Sequence, residues 1–252
     1  MAIGATKTGN IMYDELEPMR ALRLLSRVLL LICACVATVH ARQEYLAPTL
    51  IEASDAFFPT AGPPVAAISL LATVESDGHV SEIQTIDSVG STPGGEPYQE
   101  TLIGYVEDSI AAIKQWRFSP AIDQTFKRTR SVASITFVYE RSGTDTTIIP
   151  TLKTISPKAG VYLPPLARRV SRVEYPLRAY IPTSRPTVVL NLRIEADGLI
   201  SAVDILRSVP ALDAPCASAA RNFHFQPAGS EGKMSRSTAI VAFVILPFIK
   251  RH

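Results

Sequence analysis

Residues 68–86 read ISLLATVESDGHVSEIQTI, and residues 188–206 read VVLNLRIEADGLISAVDIL. In both stretches apolar residues recur at alternate positions up to an Asp-Gly pair, and a second apolar pattern follows. Such alternation predicts a strand with one buried face, and Asp-Gly is typical of a tight hairpin turn. The chain therefore contains two similar hairpins, which lie 120 residues apart.

The second strand of each hairpin has an irregular spacing that recurs in the other hairpin. Its apolar residues are three apart instead of two: Val80, Ile83 and Ile86 in the first copy, and Ile200, Val203 and Leu206 in the second. One extra residue in a strand shifts the alternation, so this spacing predicts a bulge in each second strand.

A helix and a last strand follow each hairpin. Apolar residues spaced by three and four from Leu102 to Trp116 predict the first helix, and Asp213 is a suitable N-cap for the second, with Pro215 in its first turn. Trp116-Arg117-Phe118 and Phe223-His224-Phe225 end the two helices, and we expect Trp116 and Phe223 to be core anchors. The fold class predicted is α+β, with two ββαβ units that are each a small antiparallel sheet with one helix packed on it.

The predicted domains are a leader at 1–41, a first unit at 57–141, a linker at 142–170 and a second unit at 171–249. Within the leader, residues 28–39 (VLLLICACVATV) carry no charge and follow several arginines. This pattern is typical of an export signal, and an uncleaved inner-membrane anchor is the alternative. The acidic residues before Met19 suggest Met19 as the true start. Cys35 lies in a loose lipoprotein pattern, which leaves lipidation as a further alternative.

Composition and motifs argue against several functions. A net charge of +2 is too small to indicate a nucleic-acid partner. The histidines lack the spacing of metal ligands, so we expect no metal and no cofactor. The sequence contains no Gly-x-Ser-x-Gly elbow and no phosphate-binding glycine loop, so we expect a protein that is not an enzyme. Catalysis stays an alternative because a sequence does not reveal which residues are close in space.

The order of these elements resembles the C-terminal domain of TonB, the periplasmic energy transducer, in two tandem copies. The resemblance rests on a Tyr-Pro element (Tyr175-Pro176), alternating strand, Asp-Gly, second strand, helix, aromatic-x-aromatic-x-Pro motif and last strand. The membrane helix with its Ser and His one turn apart, and the long Pro-rich spanner, are features of the energy-transducing members that this sequence does not show. Force transmission is therefore in doubt, whereas binding could survive.

The resemblance implies an exported, periplasmic protein that binds a protein partner, either an outer-membrane receptor peptide or another envelope protein. The partner segment would add a strand to the edge formed by residues 238–246 (TAIVAFVIL), which are apolar on both faces and precede Pro247. The first repeat or a second copy of the chain, as a homodimer, are alternative partners of this strand, and a structural scaffold is the alternative function. The predicted partner-binding residues are Tyr175, Pro176, Arg178, Thr238, Ile240, Ala242 and Val244.

Overall fold

The computed structural model describes residues 45–141, 151–153, 155, 161–174, 187–230 and 232–246. The predicted leader, Met19 and Cys35 lie outside the described residues, so the predictions of export, anchoring and lipidation stay predictions. The described residues all belong to one compact unit that begins at Tyr45. Among them, no helix is long and apolar enough to cross a membrane.

Each half of this unit contains one helix and several strands. In the first half the elements are β1 (Thr49–Glu52), β2 (Val65–Val74), β3 (Val80–Ser91), α1 (Ile103–Gln115), β4 (Arg117–Ser119), β5 (Ala121–Ile122), β6 (Arg128–Thr129) and β7 (Ser131–Arg141). In the second half they are β8 (Leu166–Arg169), β9 (Thr187–Ile194), β10 (Ile200–Arg207), α2 (Pro210–Arg221), β11 (His224–Gln226), β12 (Ala228–Ser230), β13 (Lys233–Ser235) and β14 (Ser237–Leu246). The α+β class is confirmed.

The long strands of both halves form one sheet. Its six strands lie in the order β10-β9-β14-β7-β2-β3, and only the central pair, β14 and β7, is parallel. The expectation of two separate small sheets is therefore wrong, although the order strand, strand, helix, strand occurs in each half. The last strand of each half is buried on both faces along most of its length, which suits a central position in a covered sheet.

The two helices pack on opposite faces of the sheet. Ile68 of β2 packs with α1, whereas Ala67, which points to the other face, packs with residues of α2. In β14, Ile240 joins the α1 core and Val241 joins the α2 core. Side chains from both halves thus contribute to both cores, so neither half buries its apolar residues alone.

The predicted turns and bulges are confirmed. Gly78 and Gly198 adopt φ of 89° and 86°, conformations that favour glycine, and the preceding Asp side chain accepts a backbone hydrogen bond in both turns. The register shifts where the pairing of β3 with β2 skips Ile86 and where that of β10 with β9 skips Leu206. The irregular spacing in the sequence therefore marks real bulges.

The second helix begins earlier than predicted. Its N-cap is Val209 and its first residue is Pro210, so Asp213 lies within the first turn and Pro215 lies inside the helix. The Asp213 carboxylate accepts a hydrogen bond from the backbone N–H of Val209 at 2.8 Å. Asp213 thus stabilises the helix start from the fourth helical position, by accepting from the N-cap N–H as the acidic residue of a capping box does from the third.

A strap precedes the sheet strands of each half and pairs with the short strand after its helix. We define the first strap as residues 45–58, which includes β1, and the second strap as residues 161–173, which includes β8. In the first strap Leu50 pairs with Phe118, and in the second Ala167 pairs with Phe225. Leu166 and Ala167, assigned from sequence to the linker, are both buried, and Ala167 belongs to the core with α2. The domain boundaries themselves stay predictions.

Candidate partner-binding edge

The aromatic residues that end the two helices are core residues. Trp116 is fully buried and Phe223 is 1% exposed. The indole N–H of Trp116 donates to the Ser54 carbonyl in the first strap at 3.2 Å, and its ring lies 5.6 Å from that of Phe137. Both residues therefore act as the core anchors that the sequence predicts.

The buried titratable groups near α1 and α2 are structural. Burial raises the pKa of Tyr105 to about 12, an effect that the positive charge of Arg141 partly offsets. The Tyr105 hydroxyl donates to the Pro63 carbonyl, and burial raises the pKa of the Cys216 thiol. A thiol held in its protonated form is a poor nucleophile. Over the described ranges, no three His, Cys, Asp or Glu residues are grouped closely enough to hold a metal ion.

The strand predicted to receive a partner is an inner strand. β14 pairs with β9 from Ser237 to Val244 and with β7 from Ile240 to Leu246. Ile240, Ala242 and Val244 are at most 5% exposed and belong to the α1 core. The expectation that this strand is a sheet edge is wrong, because the first half already occupies the side that would receive a peptide. A partner-binding role of Thr238, Ile240, Ala242 and Val244 stays a prediction, and it would require β14 to leave β7.

The other three predicted partner-binding residues, Tyr175, Pro176 and Arg178, lie outside the described residues, so their role also stays a prediction. The chain just before them is fixed to the first half. Arg172 donates to Oε1 of the buried Glu140 from Nε at 3.1 Å and from Nη2 at 2.9 Å, and the Val173 N–H donates to Oε2 at 3.1 Å. These contacts attach the end of the second strap to β7.

The two outer strands of the sheet are β3 and β10, and they differ in how they are protected. The first half has extra residues between β3 and α1 that the second half lacks, and they fold back on β3. Ser91 forms a bridge with Pro97, and the Tyr98 N–H donates to the Gly90 carbonyl at 2.8 Å. The middle of β3 exposes polar residues, and Arg130 forms an ion pair with Glu82 there at 3.1 Å. Charged side chains and a folded-back loop are common devices against unwanted strand pairing.

Among the described residues, no folded-back loop covers β10. Within the described part of the chain it pairs with β9 alone, and it leads into α2 after two residues, without an insertion. Ile205 and Leu206 are 45% and 40% exposed, and Leu199, just before the strand, is 50% exposed. Asp204 is the one acidic residue of the strand. β10 is therefore an apolar and open sheet edge, which is the kind of edge that accepts another strand.

The end of β10 is held by the first strap. Arg207 lies 2.8 Å from the Asp55 carboxylate, in an ion pair that is not aligned as a hydrogen bond, and its Nη1 donates to the Ala53 carbonyl at 3.3 Å. The strap thus binds Arg207, the one basic side chain of β10, and so keeps this side chain from covering the exposed edge. The strand is fixed at this end while its apolar residues stay exposed.

Sequence reasoning missed the edge at β10 because it assigned the edge to β14. The available signal was the insertion, since about thirteen extra residues follow the bulged strand in the first half and none follow it in the second. Because the last strands of the two halves, β7 and β14, pair at the centre of the sheet, the second strands, β3 and β10, lie at its two edges. Of these two, only β3 has a loop that covers it.

Comparisons with known proteins agree with the resemblance in the second half. A search of curated proteins gave no match to the chain. The described elements from β9 to β13, and β14 up to Ile245, fall within a region that a family model matches; this match supports a copy in the second half and does not support two tandem copies. Residues 171–245 match the model of the C-terminal domain of Gram-negative bacterial TonB proteins.

Proposed function

We propose that this protein is a non-enzymatic, periplasmic TonB-like module that binds an extended segment of an envelope protein by strand addition at β10. The family match supports a TonB-like envelope protein, and such domains interact with proteins. The observation that carries the choice of site is the pairing of β14 with β7, which closes the edge predicted from sequence and leaves β10 open. Main-chain hydrogen bonds to β10 would supply affinity, and Ile205 and Leu206 would contact alternate partner side chains.

The class of partner depends on whether the leader is cleaved or is retained as a membrane anchor. A chain released by cleavage could reach the segment of an outer-membrane receptor. A chain that keeps its apolar run as an inner-membrane anchor has no long Pro-rich spanner before Tyr45, so its partner would be a protein near the inner membrane. A role in transport across the envelope belongs to this proposal in either case.

A matched pair of variants tests the edge. Ile205→Lys places a charge on β10, whereas Thr85→Lys places the same charge at the corresponding position of β3; both residues are exposed. Binding of peptides from envelope receptors and periplasmic proteins would be measured by fluorescence anisotropy. We expect Ile205→Lys to weaken binding about tenfold or more, because a charge on an edge strand opposes pairing, and Thr85→Lys to leave it unchanged. Equal effects of the two variants, or no binding by any peptide, would contradict the proposal.

A scaffold that assembles through β10 is the second candidate, and the apolar character of the same edge favours it. Two copies could pair their β10 edges around a two-fold axis, which is the commonest symmetry of homo-oligomers. The mass of the protein in solution, measured by light scattering, separates the two functions. A wild-type dimer that Ile205→Lys converts to a monomer, with no peptide bound by either, would replace the peptide-binding proposal with the scaffold.

A further inference from the structure

Phe126 is the most exposed large apolar side chain of the described residues, at 78%. It lies at the tip of the loop between β5 and β6 with φ of 61°, a conformation that bulky residues rarely adopt. The loop is closed around Asp123, whose carboxylate accepts hydrogen bonds from Thr125 and from the N–H of Lys127. A strained backbone that holds a large ring in solvent points to a contact made by that ring.

Other exposed apolar residues lie beside this loop. Leu46 of the first strap forms a bridge with Ile122, at the base of the loop, and is 57% exposed. Tyr45 precedes it. Tyr45 is itself 49% exposed. We call Tyr45, Leu46 and Phe126 the aromatic patch.

The patch lies at one end of the sheet. The loop that carries Phe126 leads through β6 directly into β7, so it lies at the end of the sheet where β7 begins. Ser131 is the first residue of β7, and Tyr139, eight residues on, contacts Phe58 at the other end of the strand. At the usual rise of a strand these ends are about 26 Å apart.

The charge of the patch is basic. Lys127 and Arg128 follow Phe126 directly, and both are exposed. The nearest carboxylate in the loop, that of Asp123, is occupied by the loop's own hydrogen bonds. Aromatic and aliphatic side chains flanked by Lys and Arg are typical of surfaces that rest on anionic lipid headgroups.

A retained anchor would bring this end of the sheet close to a membrane. Only five residues, 40–44, separate the apolar run 28–39 from Tyr45. If the run stays in the bilayer as an anchor, so short a connection keeps Tyr45 within about 20 Å of the membrane surface, even when fully extended. We infer that the aromatic patch rests on the anionic phospholipid surface of the inner membrane and orients the sheet on it. This inference rests on a retained anchor and is independent of strand addition at β10.

Depth-dependent fluorescence quenching tests this contact on the full chain, reconstituted in vesicles of phosphatidylglycerol and phosphatidylethanolamine. Phe126→Trp places a reporter in the patch, and Phe57→Trp places one on an exposed aromatic position near the other end of β7. Trp116, which is buried, gives a constant background in both proteins. Lipids with a quencher near the headgroup should quench the added emission of Phe126→Trp and leave that of Phe57→Trp unchanged.

Two further measurements sharpen the outcome. Adding Lys127→Glu and Arg128→Glu to Phe126→Trp should reduce the quenching about twofold or more, because anionic lipids repel the new charges. Equal quenching of the two reporters, or none of Phe126→Trp, would overturn the inference. A blue shift of the Phe126→Trp emission that depends on protein concentration in detergent would also overturn it, because a second copy would then cover the patch.

Discussion

The carbonyl of Gly78 accepts a hydrogen bond from the backbone N–H of Phe118 at 3.0 Å, and this contact joins the first hairpin turn to the segment after α1. Gly198 accepts the same bond from Phe225 at 3.1 Å. The approach is so close that a Cβ atom on Gly78 would lie 2.0 Å from the Phe118 carbonyl oxygen. The Asp-Gly turn and the aromatic-x-aromatic motif, which are distant in sequence, thus contact each other in each half.

Gly78→Ala should therefore destabilise the protein strongly. The substitution combines a left-handed backbone, at φ of 89°, with a clash against main chain that cannot move aside. We expect the free energy of unfolding to fall by about 3 kcal/mol or more. Gly232→Ala is the control, because Gly232 has φ of 78° and nothing within 4 Å of the new Cβ, so it should cost about 1 kcal/mol. Equal losses in urea denaturation would show that the close approach is unimportant.

Trp116→Ala should destabilise the whole unit and should not act on binding directly. Removing a fully buried aromatic side chain leaves a cavity beside Phe118 and Phe137, which typically costs about 3–5 kcal/mol. Trp116→Phe keeps an aromatic ring and loses the hydrogen bond to Ser54, so its loss should be smaller. Circular dichroism during denaturation measures both. A Trp116→Ala protein that keeps its melting temperature and loses a partner would identify Trp116 as a contact residue.

The features that the sequence predicts correctly are local. Each of these features, namely an Asp-Gly turn, a bulge and the alternation of one strand, depends on residues a few positions apart. The sequence around Gly78 is therefore sufficient to predict all three. The start of α2 was misplaced for a local reason too. Asp213 is a good N-cap by residue type, but the chain begins the helix at Pro210 and uses the Asp213 carboxylate from within the first turn.

The pairing of β14 with β7 is not a local feature. An apolar pattern on both faces of a strand shows that both faces are covered, and it does not show which strands lie beside it. Val241 and Val244 would look the same in a central strand and in an edge that binds a partner. The edge at β10 follows only once this pairing is known, which is why the sequence placed the site two strands away.

The burial of Glu140 should make stability depend on pH. Burial raises the pKa of Glu140 above its ordinary value of 4.5, and the Val173 N–H and Arg172 only partly offset this. Because the raised pKa favours the protonated form in the folded state, the contribution of Glu140 to stability is full below pH 4.5 and falls as pH rises through the folded pKa. Glu140→Gln should remove this dependence. Unfolding free energies of both proteins across this range test it, and parallel curves would contradict it.

Lys substitutions at Val241 and Val244 test whether the sheet stays closed in solution. If β14 were an edge with one free face, one variant would unfold and the other would fold and lose its partner. The structure instead buries both side chains completely, Val241 in the core with α2 and Val244 in the core with α1. Each substitution removes an apolar group from a core and buries an ammonium group, which should together cost about 4 kcal/mol or more.

We therefore expect Val241→Lys and Val244→Lys both to unfold, as measured by circular dichroism and by the mass of soluble protein. Thr85→Lys is the control, since Thr85 is exposed on an outer strand and its substitution should change stability by no more than about 0.5 kcal/mol. A Val244→Lys protein that melts with the wild type would show that β14 separates from the α1 core in solution. β14 would then be free to pair with a partner, as the sequence predicts, and the proposal that β10 is the binding edge would be wrong.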